Sequence, residues 1–189
     1  MKRLFMLLGA LPMVLLSLLV VVGELRASTG SGEEILKEPL SRLENRIPQR
    51  DCLSPDVSKV DVAWHLDHTL KVINGIYDAL EGSDPGDYRF RPNLARMAVF
   101  AQGKIARGKA KAPASVTPPE TILTEDLQSQ LETVRANLER LGELPAKSHF
   151  KHPVLGTLHK KNAKRFLEIH TNHHLSIVDD IVRECSAGT

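Results

Sequence analysis

The sequence predicts an all-α protein, a four-helix bundle preceded by an N-terminal transmembrane or signal helix. Four segments of the chain carry apolar residues at the three- and four-residue spacing of amphipathic helices. Alternation of apolar and polar residues, which is typical of strands, is nearly absent. Aromatic residues make up only 4% of the 189 residues, with Trp64 the single tryptophan. Together these observations favour packed helices over a sheet.

The N-terminus has the pattern of a membrane segment. Lys2 and Arg3 precede an apolar stretch of 19 residues, Leu4 to Val22, which is long enough to span a bilayer. The basic pair, with no comparable basic cluster behind the stretch, predicts a cytoplasmic N-terminus and an extracytoplasmic domain, periplasmic in a Gram-negative cell. We expect residues 1–26 to be an uncleaved anchor. The alternative is a cleaved signal peptide, which would release a secreted protein.

The remaining chain reads as one domain with a balanced charge. Residues 27–32 are a short linker and residues 33–186 the domain, which is large enough for a full hydrophobic core. The chain has 25 basic and 23 acidic residues, and residues 1–26 hold three of the basic and one of the acidic. The domain is therefore close to neutral, and its composition predicts no nucleic-acid partner.

Four helices are predicted, at residues 33–47, 55–80, 124–141 and 159–185. The first stops before Pro48, because a residue that precedes proline disfavours helical angles. The second ends at the turn cluster Gly82–Ser83–Asp84–Pro85–Gly86, and the third ends at Gly142. These stops give the first three helices a definite end.

A long connector separates the second and third helices. Its roughly 40 residues, 82–121, far exceed the few that join neighbouring antiparallel helices. Such a connector can cross the whole bundle, which predicts the order up-down-down-up and makes helices two and four antiparallel. Residues 94–105 are compatible with a short extra helix inside it. Seven basic and no acidic residues lie between Tyr88 and Pro119, either as a solvated loop or as a surface for anionic lipid headgroups or an acidic ligand.

Two histidines on the last helix suggest a metal site. His170 and His174 lie four residues apart, within roughly 60° of the centre of the helix's apolar stripe, whereas His173 falls at its edge. Neutral imidazole is a good ligand for zinc, nickel and iron, and this spacing allows two rings to share one ion. The alternative is that both are core histidines bonded to backbone or carboxylate groups.

The second helix offers a third ligand. On a helical wheel His65 lies about 70° from the centre of the apolar face, and His68 about 130° away beside Asp61. His65 is therefore the predicted third ligand. His68 is the reserve candidate, either as a spare ligand or proton donor or as an exposed histidine that pairs with Asp61 or Asp67.

The two cysteines fit the same topology. Cys52 precedes His65 by 13 residues and Cys185 follows His174 by 11, so antiparallel helices two and four would bring both towards one end. A disulfide between Cys52 and Cys185 is one expectation, and an extracytoplasmic compartment would allow it. Two free buried thiols are the other.

Three motifs of the chain resemble a known superfamily. Ser58 is followed seven residues later by His65–Leu66, the segment 150–156 reads FKHPVLG, and His170 is followed by His173–His174. These are similar to the DinB-like (DinB/YfiT-type) superfamily, and specifically to an uncharacterised branch with HP-x-x-G and H-x-x-HH motifs. The resemblance implies an up-down-down-up bundle that holds a divalent metal, often nickel or zinc, on His65, His170 and His174.

Three hypotheses for the function follow. The first is a membrane-tethered DinB-like metalloenzyme, a hydrolase or transferase, since metal-dependent thiol transfer and maleylpyruvate isomerisation occur in the superfamily. The second is a non-catalytic module that binds a metal or a small ligand. The third is a purely structural bundle whose histidines belong to the core. The sequence carries no G-x-S-x-G elbow, phosphate-binding glycine loop or Cys-x-x-Cys motif that would indicate another chemistry.

Overall fold

The computed structural model describes residues 32–108 and 111–187. Over these residues the protein is mostly helical, which confirms the main feature of the predicted fold class, and one short β-hairpin interrupts the helices. In chain order the elements are α1 (Gly32–Arg46), α2 (Val62–Glu81), α3 (Leu94–Gln102), α4 (Thr124–Leu141), β1 (His149–His152), β2 (Gly156–His159) and α5 (Lys160–Ala187).

The four long helices share one apolar core. Helix α2 packs against both α4 and α5, and α1 packs against the same two helices. Helices α2 and α4 run in the same direction, because Asp67 meets Gln130 near their starts and Asn74 meets Asn137 two turns further along. The core contains leucines from all four helices.

Helices α2 and α5 run in opposite directions. His65 of α2 lies beside His174 of α5, and His68, one turn later in α2, lies beside His170, one turn earlier in α5. This reversed order of contacts is the antiparallel arrangement that the sequence predicts for the two histidine-bearing helices. It places their histidines at the same level of the core.

Helix α2 starts seven residues later than predicted, at Val62 rather than Pro55. The side chain of Asp61 caps the helix and accepts the Trp64 N–H at 2.8 Å. The preceding chain folds back, so that the Ala63 N–H donates to the Arg50 carbonyl at 2.8 Å. These bonds satisfy amide groups that a helix start leaves without partners, and residues 55–61 remain a loop.

A disulfide joins Cys52 to Cys185, with the Cα atoms 5.9 Å apart. Of the two alternatives for the cysteines, the structure therefore has the cross-link and not free thiols. The bond ties the segment before α2 to the last turns of α5. It adds a covalent link between the two helices that carry the histidines.

The hairpin β1–β2 was not predicted. Strand β1 pairs antiparallel with β2, so that His149 lies opposite His159. The turn requires Gly156, whose φ of 72° is in the left-handed region. His152 supports the same turn, because its Nδ1 accepts the N–H groups of Val154 and Leu155 at 3.1 and 3.0 Å. Strands of four residues are at the lower limit of the length over which an alternating pattern can be recognised.

The long connector is partly ordered against the helices. Helix α3 covers most of the predicted extra helix and ends at Gly103, which has a φ of 64°. Further along, a short 3₁₀ turn, Ala114–Val116, lies against α2. The connector therefore covers a side of α2 that the other helices leave open.

In the part of the chain that the structure describes, none of the helices has the length and apolar character needed to cross a membrane. The predicted anchor or signal, residues 1–26, lies outside that part.

Candidate metal centre

Four histidines meet in the core between α2 and α5. Their exposed fractions are 5% for His65, 5% for His68, 9% for His170 and 8% for His174. Histidine is seldom buried to this extent without a specific role or partner. A cluster of four such rings is the most unusual feature of the described chain.

Three of these rings are placed to hold an ion. One ring nitrogen from each of His68, His170 and His174 lies within 4.8 Å of the other two. Nitrogens that share a tetrahedral zinc at about 2.1 Å would be roughly 3.4 Å apart, so the three rings are within reach of a common ion. The ligands come from two helices that pack directly against each other, which fixes their relative positions.

The predicted ligand set differs from this group in one member. The sequence assigned the α2 ligand to His65 and kept His68 in reserve, whereas the structure groups His68 with His170 and His174. Of the alternatives for His68, the exposed histidine is wrong, since the residue is buried. The spare ligand is the alternative that the grouping favours. A helical wheel assumes one buried face, but the connector covers the outer side of α2 as well.

His68 is held by two contacts besides those with the other histidines. Its Nδ1 donates to the carbonyl oxygen of Val116 at 2.8 Å, because a carbonyl can only accept. The ring also stacks on Trp64, with 5.0 Å between centroids and 21° between planes. With the proton on Nδ1, the Nε2 of neutral His68 keeps a lone pair for a metal.

His65 lies beside the group and contacts one of its members. Its Nδ1 is 3.0 Å from the Nδ1 of His174, and its Nε2 is 3.0 Å from the Oγ of Ser58. The loop before α2 therefore reaches into the site through Ser58. Both nitrogens of His65 are engaged in hydrogen bonds.

His170 lacks the partners that a core histidine needs. Its Nδ1 is buried and has no hydrogen-bond partner in the structure. The ring packs against Phe166, which also contacts His152, with 5.4 and 4.8 Å between the respective centroids. An unpaired buried polar atom costs about 1–3 kcal/mol. The orphaned nitrogen therefore fits a metal ligand better than a purely structural residue.

Burial keeps all four rings uncharged at neutral pH. Desolvation is the largest cause in each case: it lowers the pKa of His65 to about 4, and it lowers the pKa values of His68, His170 and His174 as well. Repulsion between the neighbouring rings adds to the effect for His65, His170 and His174. Metal ligation requires neutral imidazole, so the site supplies it without first releasing protons.

His173 and Arg107 lie at the edge of the site. His173 is half-buried and outside the three-histidine group, as its place on the helical wheel predicts. Arg107 donates to Asp180 at 2.8 Å and to Ser176 at 2.9 Å, on the same side of α5. Desolvation and this arginine both lower the pKa of His173.

Sequence reasoning missed two residues of the site. Trp64 stands four residues before His68, a spacing that lets side chains of one helix touch, so its stacking could have been expected. Val116 contributes a backbone carbonyl from the connector, and no residue pattern marks such a contact.

The chain matches no protein-family model, no curated protein and no solved structure.

Proposed function

We propose that this protein binds one divalent metal ion, zinc, nickel or iron, through His68, His170 and His174. The observation that carries the proposal is the convergence of three buried ring nitrogens within 4.8 Å of one another. The lowered pKa values and the orphaned nitrogen of His170 support it, because each is a cost for a bundle whose histidines serve only as core residues.

A divalent ion held by three neutral nitrogens, with a further position open, acts as a Lewis acid. On that chemistry the first candidate is a metal-dependent hydrolase or transferase. The protein's own residues contribute the burial that excludes water and the contacts that fix the rings. The second candidate is a non-catalytic metal- or ligand-binding module, and it is favoured by exposures of 9% or less for all three rings.

We further propose a DinB-like four-helix bundle of up-down-down-up order. The parallel contacts between α2 and α4 and the antiparallel contacts between α2 and α5 support this order. Arg46 at the end of α1 contacts Asp179 of α5, and His65 near the start of α2 contacts His174 of α5. Helix α1 therefore ends close to where α2 starts, which supports opposite directions for those two helices. The buried His170 and His174 support the resemblance of α5 to the superfamily's last helix.

The proposal includes a membrane-tethered domain outside the cytoplasm, anchored through residues 4–22. The Cys52–Cys185 disulfide supports this location, because such bonds persist in oxidising compartments and are rare in the cytosol.

Metal analysis of the full-length protein tests the proposal. The protein is stripped with a chelator, reloaded separately with zinc, nickel and iron(II), and assayed for bound metal by mass spectrometry. We expect one ion per chain for at least one metal, and loss of that ion in His170→Ala. His149→Ala is the matched control, since it removes a histidine of the hairpin. Near-zero binding of all three metals would overturn the proposal.

Turnover separates the two candidates. The metal-loaded protein is assayed against activated esters, amides and thiol-transfer substrates, with His174→Ala as the inactive control. Activity that follows the metal content would establish an enzyme. Stoichiometric metal without turnover across these classes would favour the binding module.

A further inference from the structure

A chain of polar contacts runs from the loop before α2 into the site. Ser58 Oγ lies 3.0 Å from His65 Nε2, and His65 Nδ1 lies 3.0 Å from His174 Nδ1. Ser58 Oγ also accepts the N–H of Val60 at 3.2 Å, which holds the hydroxyl in place. The chain therefore connects backbone, hydroxyl and two imidazoles in sequence.

Only two proton arrangements satisfy this chain when both rings are neutral. In the first, His174 Nδ1–H donates to His65 Nδ1, and His65 Nε2–H donates to Ser58 Oγ. In the second, every donor is reversed, so Ser58 donates to His65 and His65 donates to His174. The arrangements differ in the proton on His174, which sits on Nδ1 in the first and on Nε2 in the second.

The first arrangement is the one that suits a ligand. It leaves a lone pair on Nε2 of His174, whereas the second arrangement places a proton there and uses the Nδ1 lone pair for His65. Metal-binding histidines generally donate their other ring N–H to an outer partner, which orients the ring and strengthens the ligand. His68 already has such a partner in the Val116 carbonyl.

We propose that His65 is a positioning residue that accepts the Nδ1–H of His174 and thereby presents Nε2 of His174 to the metal. Ser58 Oγ accepts the Nε2–H of His65, which leaves Nδ1 of His65 as the acceptor. This assignment rests on the proposed metal site. It differs from the ligand role that resemblance gives to His65, because both nitrogens of His65 are already engaged. His65 and the Val116 carbonyl then play the same part for two different ligands.

Two substitutions at position 65 separate an acceptor from a ligand. His65→Asn keeps an oxygen near the place of Nδ1, which can accept the proton of His174, whereas an amide oxygen is a poorer zinc ligand than imidazole. His65→Leu keeps the bulk and removes the acceptor. His68→Ala is the comparison for loss of a ligand, and thermal unfolding of each metal-free variant checks that it folds.

Zinc affinity, measured by competition with a chromogenic chelator on the full-length protein, gives the result. We expect His65→Asn to stay within about threefold of the wild type, and His65→Leu to bind about 10–100-fold more weakly, the usual effect of losing an outer partner. Both should still bind one zinc per chain. His68→Ala should lose stoichiometric binding.

Nitrogen NMR of zinc-loaded, ¹⁵N-histidine-labelled protein provides a second readout that a general structural role would not move. We expect the ring proton of His174 on Nδ1 in the wild type and in His65→Asn. A proton on Nε2 would overturn the inference.

The outcomes distinguish the inference from the proposed function. Loss of stoichiometric zinc in His65→Leu, as in His68→Ala, would make His65 a ligand and overturn the positioning role. Equal weakening in His65→Asn and His65→Leu would overturn the acceptor role. A wild-type protein that binds no zinc, nickel or iron would instead overturn the proposed function, and the inference with it.

Discussion

The histidines of the hairpin and those between α2 and α5 differ in what their ring nitrogens contact. His152 accepts two backbone N–H groups, His149 Nδ1 lies 3.1 Å from the Lys147 carbonyl, and His159 contacts the Tyr88 hydroxyl. All three are half-buried. Their contacts are those of residues that shape a loop.

The rings between α2 and α5 contact one another in addition to their backbone and hydroxyl partners. His174 has four imidazole neighbours, from His65, His68, His170 and His173, at centroid distances of 5.3, 4.8, 4.5 and 5.1 Å. Neutral imidazoles cannot all find hydrogen-bond partners among themselves, and buried ring nitrogens without a partner are costly in a core unless a ligand such as a metal ion binds them. The comparison shows that burial together with mutual contact, rather than the number of histidines, marks a candidate metal site.

The largest expected effect is on metal affinity at the core cluster. His68→Ala removes one of three ligands, and we expect zinc affinity to fall by roughly a thousandfold, about 4 kcal/mol, if the binding energy is shared among the ligands. His149→Ala should leave the affinity unchanged. Isothermal titration of both variants measures the difference. Similar losses of zinc affinity in the two variants would contradict a metal site made by the core histidines alone.

Acid should destabilise the metal-free protein through the core cluster. A histidine whose pKa is lower in the folded than in the unfolded state binds its proton only on unfolding, so stability is lost as pH falls below about 6.5. For His65 the folded pKa is about 4, which corresponds to a loss of about 3 kcal/mol between pH 6.5 and 4.

Urea unfolding of the metal-free protein at several pH values checks this loss. His65→Leu, which lacks the titrating ring, should show a shallower decline than the wild type. A free energy of unfolding that stays constant over the same range would contradict the buried, neutral state of the cluster.

The smallest effect is expected at the hairpin. His152→Ala removes the acceptor of the Val154 and Leu155 N–H groups, and we expect the free energy of unfolding to fall by about 1 kcal/mol. Hydrogen exchange at these two amides should quicken, while zinc stoichiometry stays at the wild-type value. Loss of the metal in this variant would show that the hairpin contributes to metal binding, contrary to this expectation.

An element is predictable from the sequence where neighbouring residues determine its bounds, and less so where distant residues do. Helix α4 has the bounds that the sequence predicts, since its leucine spacing and Gly142 are local signals. Helix α2 starts late because residues 50–52 fold back and bond to the amides of its first turn. These residues lie about ten positions before the helix, so the apolar spacing within the helix does not reveal the contact.

The candidate site shows the same limit. His170 and His174 were predicted because they lie on the apolar face of one helix, and that face is buried. The grouping of His68 depends on α2 being covered by the connector as well as by α4 and α5. Which segment covers which face is a property of the tertiary structure, and a helical wheel does not contain it.

The Cys52–Cys185 bond has a consequence for proteolysis. The connector between α2 and α4 carries exposed basic residues at Lys104, Arg107 and Lys111, where a trypsin-like protease would cut. Because the disulfide spans this connector, a single cut there leaves α2 and α5 in one covalent molecule. The nicked chain would run as one band on a non-reducing gel and as two after reduction. The histidines of α2 and those of α5 would thus stay covalently linked after a cut in the chain between them.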